Sequence, residues 1–221
     1  MKMNLSASQI LLLGLALAGS LLNSGCVVGR RTVALPIPSL GGGALDKGEV
    51  GIGSVVDNRH FEGKPVAPST PSVDGDVTTL TPDLKTMLIG RQRNGYGHAM
   101  GDIALPANDS ITMRARLLFE EGLKRRGYTV AKADGAANSI DVSVDEFWAW
   151  FTPGFATVSF EAKIRCGVTI KHGDKVTRSV VEGYGKNTGQ VASDANWQLA
   201  YSRAFAEFMV RLDRELGNAG F

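Results

Sequence analysis

From residue 157 to 171 apolar and polar side chains alternate. Val158, Phe160, Ala162, Ile164, Cys166, Val168 and Ile170 take one side, and Ser159, Glu161, Lys163, Arg165, Thr169 and Lys171 the other. A strand with one dry face and one wet face has this period of two. His172-Gly173-Asp174 then supplies a hairpin turn, and 176–184 returns as its partner. The same alternation runs through Ile140, Val142 and Val144. It continues into Phe147-Trp148-Ala149-Trp150-Phe151 and stops at Thr152-Pro153-Gly154. Nearer the start, Val50, Ile52 and Val56 alternate over 49–56, and Asp57-Asn58-Arg59 closes that strand.

Two stretches change to the helical period. Ile111, Ala115, Leu118 and Gly122 form one stripe, widened by Met113, Leu117 and Leu123. Asn108-Asp109-Ser110 offers N-cap candidates, Lys124-Arg125-Arg126 suits the C-terminal end, and Gly127 suits the position beyond it. Trp197, Tyr201, Ala204, Phe205, Phe208, Leu212 and Leu216 form the second stripe, opening at Ser193-Asp194 and ended by Gly217. Tyr128-Thr129-Val130 starts a strand between them, and 102–105 reads as a short extended piece before Pro106. Strand, helix, hairpin-linked strands, helix predicts an α+β fold: a two-layer sandwich, mainly antiparallel, with two helices on one face.

The aromatic run 147–151 does not fit one face. Trp148 and Trp150 share parity with Ile140, Val142 and Val144, which points Phe147 and Phe151 away, unless a bulge near Asp145-Glu146 exchanges the rows. In either arrangement one aromatic row near a hairpin tip needs a cover. Either it is exposed as a partner surface, or the tether or the long Pro-, Ser- and Thr-rich loop over 60–83 lies on it.

The first residues belong to another class. Lys2, the apolar run 10–18 and the small residues up to Gly25 make a secretory signal. The division expected is a signal over 1–25, a Pro- and Gly-rich tether over 26–48 and one domain over 49–217. A flexible chain of the tether's length reaches about 25 Å. Within that tether, 32–35 suits an edge strand. Apolar residues make up 43 % of the chain, enough for one core, and a net charge of +2 argues against nucleic acid as partner.

Candidate chemistry is sparse. Of the two cysteines, Cys166 falls on a dry strand face and reads as a small buried hydrophobe. His60, His98 and His172 lie in separate loops without metal-ligand spacing. Gly95-x-Gly97-x-x-x-Gly101 has the wrong spacing for a dinucleotide fingerprint and opens no helix. No Gly-x-Ser-x-Gly elbow occurs. No catalytic group, metal or cofactor is expected. Arg91 and Arg93 are suited to a carboxylate or phosphate. With Trp148, Trp150 and Phe151 they make the candidate partner surface.

Two resemblances add to this. Leu22-Asn23-Ser24-Gly25-Cys26 resembles the lipobox of bacterial lipoproteins, with Asn23 where Leu is usual. It implies lipidation at Cys26, and Val27 in place of Asp implies an outer-membrane address. Val55-Val56-Asp57-Asn58-Arg59, Ile89-Gly90 with the Arg-Gln-Arg-Asn-Gly stretch after it, and Leu123-Lys124-Arg125-Arg126-Gly127-Tyr128-Thr129-Val130 resemble the YajG-like outer-membrane lipoproteins. That family supplies no catalytic residues. The expectation is a non-enzymatic lipoprotein held to the outer membrane through Cys26, facing the periplasm and binding an envelope protein or component. The alternative is an auxiliary lipoprotein of an envelope transport system handling lipid or glycan, with an apolar groove between helices and sheet.

Overall fold

The computed structural model describes residues 29–39, 41, 46–94, 98–132, 136–154, 157–190 and 192–221. Cys26 and the signal segment lie outside these residues.

One eight-stranded sheet carries the fold. Its strands are β1 (Arg31–Thr32), β2 (Glu49–Asp57), β3 (Leu88–Arg93), β4 (Ala99–Ala104), β5 (Thr129–Lys132), β6 (Asn138–Pro153), β7 (Val158–His172) and β8 (Lys175–Gly189). The helices are α1 (Pro82–Met87), α2 (Ile111–Arg125) and α3 (Asp194–Ala219). β6, β7 and β8 form the expected antiparallel meander. On its other edge β6 takes two partners in succession. β2 pairs with its first half and β3 with Ala149 and Trp150. The sheet therefore forks, with β2 and β5 on one branch and β3, β4 and β1 on the other.

The α+β class holds, but the sheet is mixed and not mainly antiparallel. β2 runs parallel to both β5 and β6, β3 parallel to β6, and β1 parallel to β4. Alternation tells which face of a strand is dry; it does not tell the direction of the neighbour. Parallel neighbours need a long crossover, and the chain between β2 and β6, with α2 inside it, provides one.

α2 packs on β2, and α3 lies across β7 and β8. Their apolar stripes and the dry sheet face make the main core, with Phe119 meeting Phe208 edge-on at 5.8 Å between centroids. Gly183 and Gly185 let α3 settle directly on β8, because a Cβ at either would run into the carbonyl of Ala204 or Ala200. Ser110 and Ser193 cap α2 and α3 through the amides of Met113 and Asn196. α3 does not stop at Gly217. It continues to Ala219, and Gly220, with φ 102°, takes the left-handed cap.

A bulge between Val144 and Glu146 exchanges the rows of β6. Ile140, Val142 and Val144 face the helices, and past the bulge so do Phe147, Ala149 and Phe151. Trp148 and Trp150 turn to the opposite face and meet Phe61, Val73, Leu88 and Ala104 in a second core. The cover is the 58–81 loop, whose arms are joined by the Glu62 amide donating to Pro71 O at 2.9 Å.

The expected tether is also shorter. The Val33 amide donates to Ala104 O at 2.8 Å, and Val33 and Leu35 are each 1 % exposed in the main core. Residues 29–35 belong to the sheet and core rather than to a free linker, because parallel pairing with β4 satisfies their backbone and buries two apolar side chains.

Candidate functional site

Arg91 and Arg93 are two apart on β3, so both point to the loop-covered face. Arg91 is 7 % exposed. Its Nη1 donates to Val73 O and its Nη2 to Asp74 Oδ1 at 3.1 Å. Its Nε has no hydrogen-bond partner among the described residues. Arg93 reaches Pro65 O at 3.4 Å and Ser72 Oγ at 3.3 Å. Burial, and then the neighbouring charge of Arg91, lower the proton affinity of the Arg93 guanidinium. Around the pair lies a cleft of about 480 Å³ lined also by Gly63, Lys64, Pro65, Gly75, His98 and Ala99.

Asp102 sits behind this cleft, 2 % exposed, accepting the Asp74 amide at 3.0 Å and facing Arg30 at 3.7 Å. Burial raises its pKa above the ordinary carboxylate value, against the opposing pull of that amide and of the Arg91 and Arg30 charges. The carboxylate that Arg91 contacts directly, Asp74, is exposed.

The other expected site residues are placed differently. Trp148 is 1 % and Trp150 9 % exposed. Trp148 packs edge-on against Phe61 at 5.7 Å, and its indole N–H donates to Pro68 O at 3.3 Å. These tryptophans pack beneath the 58–81 loop, the covered one of the two expected arrangements. Phe151 is on the other side of the sheet, against Phe160 and Trp197. The structure does join the two candidate groups at one point. Val73 belongs to the tryptophan cluster by its side chain, and its carbonyl receives Arg91. Lipidation at Cys26 falls on residues outside those described.

Further grooves are shallow and mixed. One of about 480 Å³ runs between the loop and the sheet past His60, Glu62, Lys163 and Tyr184, with Trp148 and Trp150 beneath. Burial pushes the Tyr184 phenol up to about 12, aided by its hydrogen bond to Glu161. The Cys166 thiol is buried, and that burial raises its pKa, which disfavours a nucleophilic thiolate. Among the described residues no group of three or more His, Cys, Asp or Glu gathers to hold a metal, and no helix is long and apolar enough to cross a membrane.

The sequence reading did not join Lys64 and His98 to the arginine pair. Lys64 and His98 lie in loops, and only the folded chain carries them to Arg91 and Arg93.

No protein-family model matches the chain, and no curated protein matches it. Among solved structures, an uncharacterized protein is similar with 9 % identity and a TM-score of 0.43, covering 86 % of this chain and 99 % of its own. A Xanthomonas campestris protein of family DUF330 is similar with 10 % identity and a TM-score of 0.41, covering 87 % of this chain and 98 % of its own.

Proposed function

We propose that this chain is a non-enzymatic lipoprotein of a bacterial cell envelope, anchored in the outer membrane through Cys26 and acting by binding a protein or envelope component. The observation that carries the reading is Ser24-Gly25-Cys26 placed directly after the apolar run 10–18. Small residues end a secretory signal, and with a cysteine directly after them the segment resembles a lipobox, which implies cleavage and acylation at Cys26. Acyl chains contribute about 0.8 kcal/mol per buried methylene, so more than one chain holds a domain durably. Val27 favours the outer-membrane address, as does the resemblance of the short motifs named above to YajG-like lipoproteins.

The groove expected for lipid or glycan handling between helices and sheet finds no support at β8, where Gly183 and Gly185 bring α3 into contact with the strand. Binding falls instead to the loop-covered face, where Arg91 and Arg93 line an open cleft.

Cys26→Ser tests the anchor. In cells fed radiolabelled palmitate, the parent chain incorporates label and sediments with outer membranes. The variant loses the label and either accumulates uncleaved or is released into the periplasm. Unchanged membrane attachment of a correctly cleaved Cys26→Ser chain would contradict the proposal.

A further inference from the structure

Gly29, three residues after Cys26 in the sequence, lies beside the basic cleft. The Gly29 amide donates to Met100 O at 3.0 Å. Gly101, with φ 152°, makes this approach possible, because a Cβ there would collide with the Gly29 carbonyl. Met100 follows Ala99, which lines the cleft and pairs with Arg93 across the β3–β4 hairpin. Neighbouring strands are about 4.8 Å apart, so Gly29 and the Arg93 backbone are separated by roughly two strand spacings. Three peptide units connect Gly29 to Cys26, and an extended chain of that length spans at most about 11 Å. An acyl group on Cys26 thus draws this edge of the domain to the bilayer, far closer than a flexible tether over 26–48 would.

From this juxtaposition we infer that the cleft between β3 and the 58–81 loop binds the phosphate of an anionic lipid headgroup in the membrane that receives the Cys26 anchor. The inference rests on the lipoprotein reading above. The cleft has the chemistry for it. Arg91 and Arg93 present guanidinium groups, which match phosphate oxygens in fork geometry. Arg91 is largely buried, and its buried Nε–H has no partner among the described residues. Lys64 adds an ammonium and His98 an imidazole to the lining. Asp74, which pairs with Arg91, is 59 % exposed and free to exchange Arg91 for a stronger anion. The like-charge repulsion between Arg91 and Arg93 that weakens proton binding on Arg93 is relieved when an anion sits between them. Arg30, 49 % exposed next to Gly29, adds positive charge on the same edge.

The test uses the full lipidated protein in vesicles of phosphatidylcholine alone or mixed with phosphatidylglycerol. The rate of Lys64 acylation by a water-soluble amine reagent is read by peptide mass spectrometry, with Lys175 in the β7–β8 turn as internal control. Phosphatidylglycerol should slow Lys64 labelling several-fold and leave Lys175 unchanged. Arg93→Gln should raise the phosphatidylglycerol content needed for that protection about fivefold, the effect of one basic residue near an anionic surface. Equal Lys64 rates in both vesicle types would overturn the inference while leaving the anchor intact. Equal protection by inorganic phosphate in phosphatidylcholine vesicles would overturn the lipid source and leave a free-anion site. Failure of the protein to float with either vesicle would overturn the anchor reading itself.

Discussion

Arg59 grips Asp57 two residues upstream through both carboxylate oxygens, Nε to Oδ1 and Nη2 to Oδ2, each at 2.9 Å. The pair fills the fork where β2 leaves β6 and β3 takes over. Arg59 is 2 % exposed, and its remaining N–H groups reach Leu88 O at 2.6 Å, Phe147 O at 2.9 Å and Lys85 O at 2.6 Å. Carbonyls from β3, β6 and α1 would otherwise end buried in the gap without donors. The planar fork of a guanidinium serves them together.

Arg59→Met is therefore expected to cost about 3–5 kcal/mol of folding stability, the range for removing one partner of a buried ion pair. Arg59→Lys should recover only a small part, since one ammonium cannot span three carbonyls and a bidentate carboxylate. Urea denaturation of the two variants checks this. A loss below 1 kcal/mol for Arg59→Met would show the fork to be held by other contacts.

The loop's role predicts a spectroscopic result. The chain has three tryptophans, Trp148, Trp150 and Trp197, and all are buried. Emission should be blue-shifted and resist acrylamide. Trp148→Ala should destabilise by about 3–5 kcal/mol and open the loop, making Trp150 quenchable. Strong quenching of the parent protein would place an indole at the surface.

How far the sequence revealed this can be judged at β6 and β7. The unbroken alternation of 158–170 made β7 legible, and the stripe from Trp197 to Leu216 did the same for α3. The bulge at Asp145 was legible as one of two solutions to an aromatic parity conflict. The cover over Trp148 was not decided, because the loop contributes scattered apolar residues such as Phe61 and Val73 with no period. Parallel pairing of β2 and β3 with β6 was hidden for a different reason: strand direction leaves no mark on side-chain alternation. Arg91 and Arg93 were visible as a pair, while the cleft around them depends on Lys64 and His98 arriving from elsewhere.

Close packing of α3 on β8 gives a steric prediction. Gly185→Ala sets a methyl against the Ala200 carbonyl, and something must shift. A loss of at least about 2 kcal/mol is expected, measured by thermal or urea unfolding. Gly173→Ala in the hairpin turn meets no neighbouring atom but holds φ 58°, so its smaller cost comes from backbone strain alone.

Asp102 gives a pH-dependent prediction. Its folded-state pKa is raised, chiefly by burial, so the folded chain favours the protonated form. A raised acid subtracts stability as pH climbs from below its unfolded value, near 3.8, through the folded one, and the loss is complete above that. Asp102→Asn removes the charge and should be more stable than the parent at pH 7. The difference should shrink as pH falls towards 3.8. Paired melting curves at neutral and acid pH check the sign. A variant less stable at pH 7 would show that the Asp74 amide and the nearby arginines outweigh burial.

The central proposal is a covalent anchor at Cys26, three residues before Gly29 in the sequence. Intact mass spectrometry of the protein extracted from its native membranes tests it most directly. The account predicts a chain starting at Cys26 with diacylglycerol on the thiol and an acyl group on the new amino terminus. A chain that retains residues 1–25, or starts elsewhere, or carries a free thiol at Cys26, would contradict it.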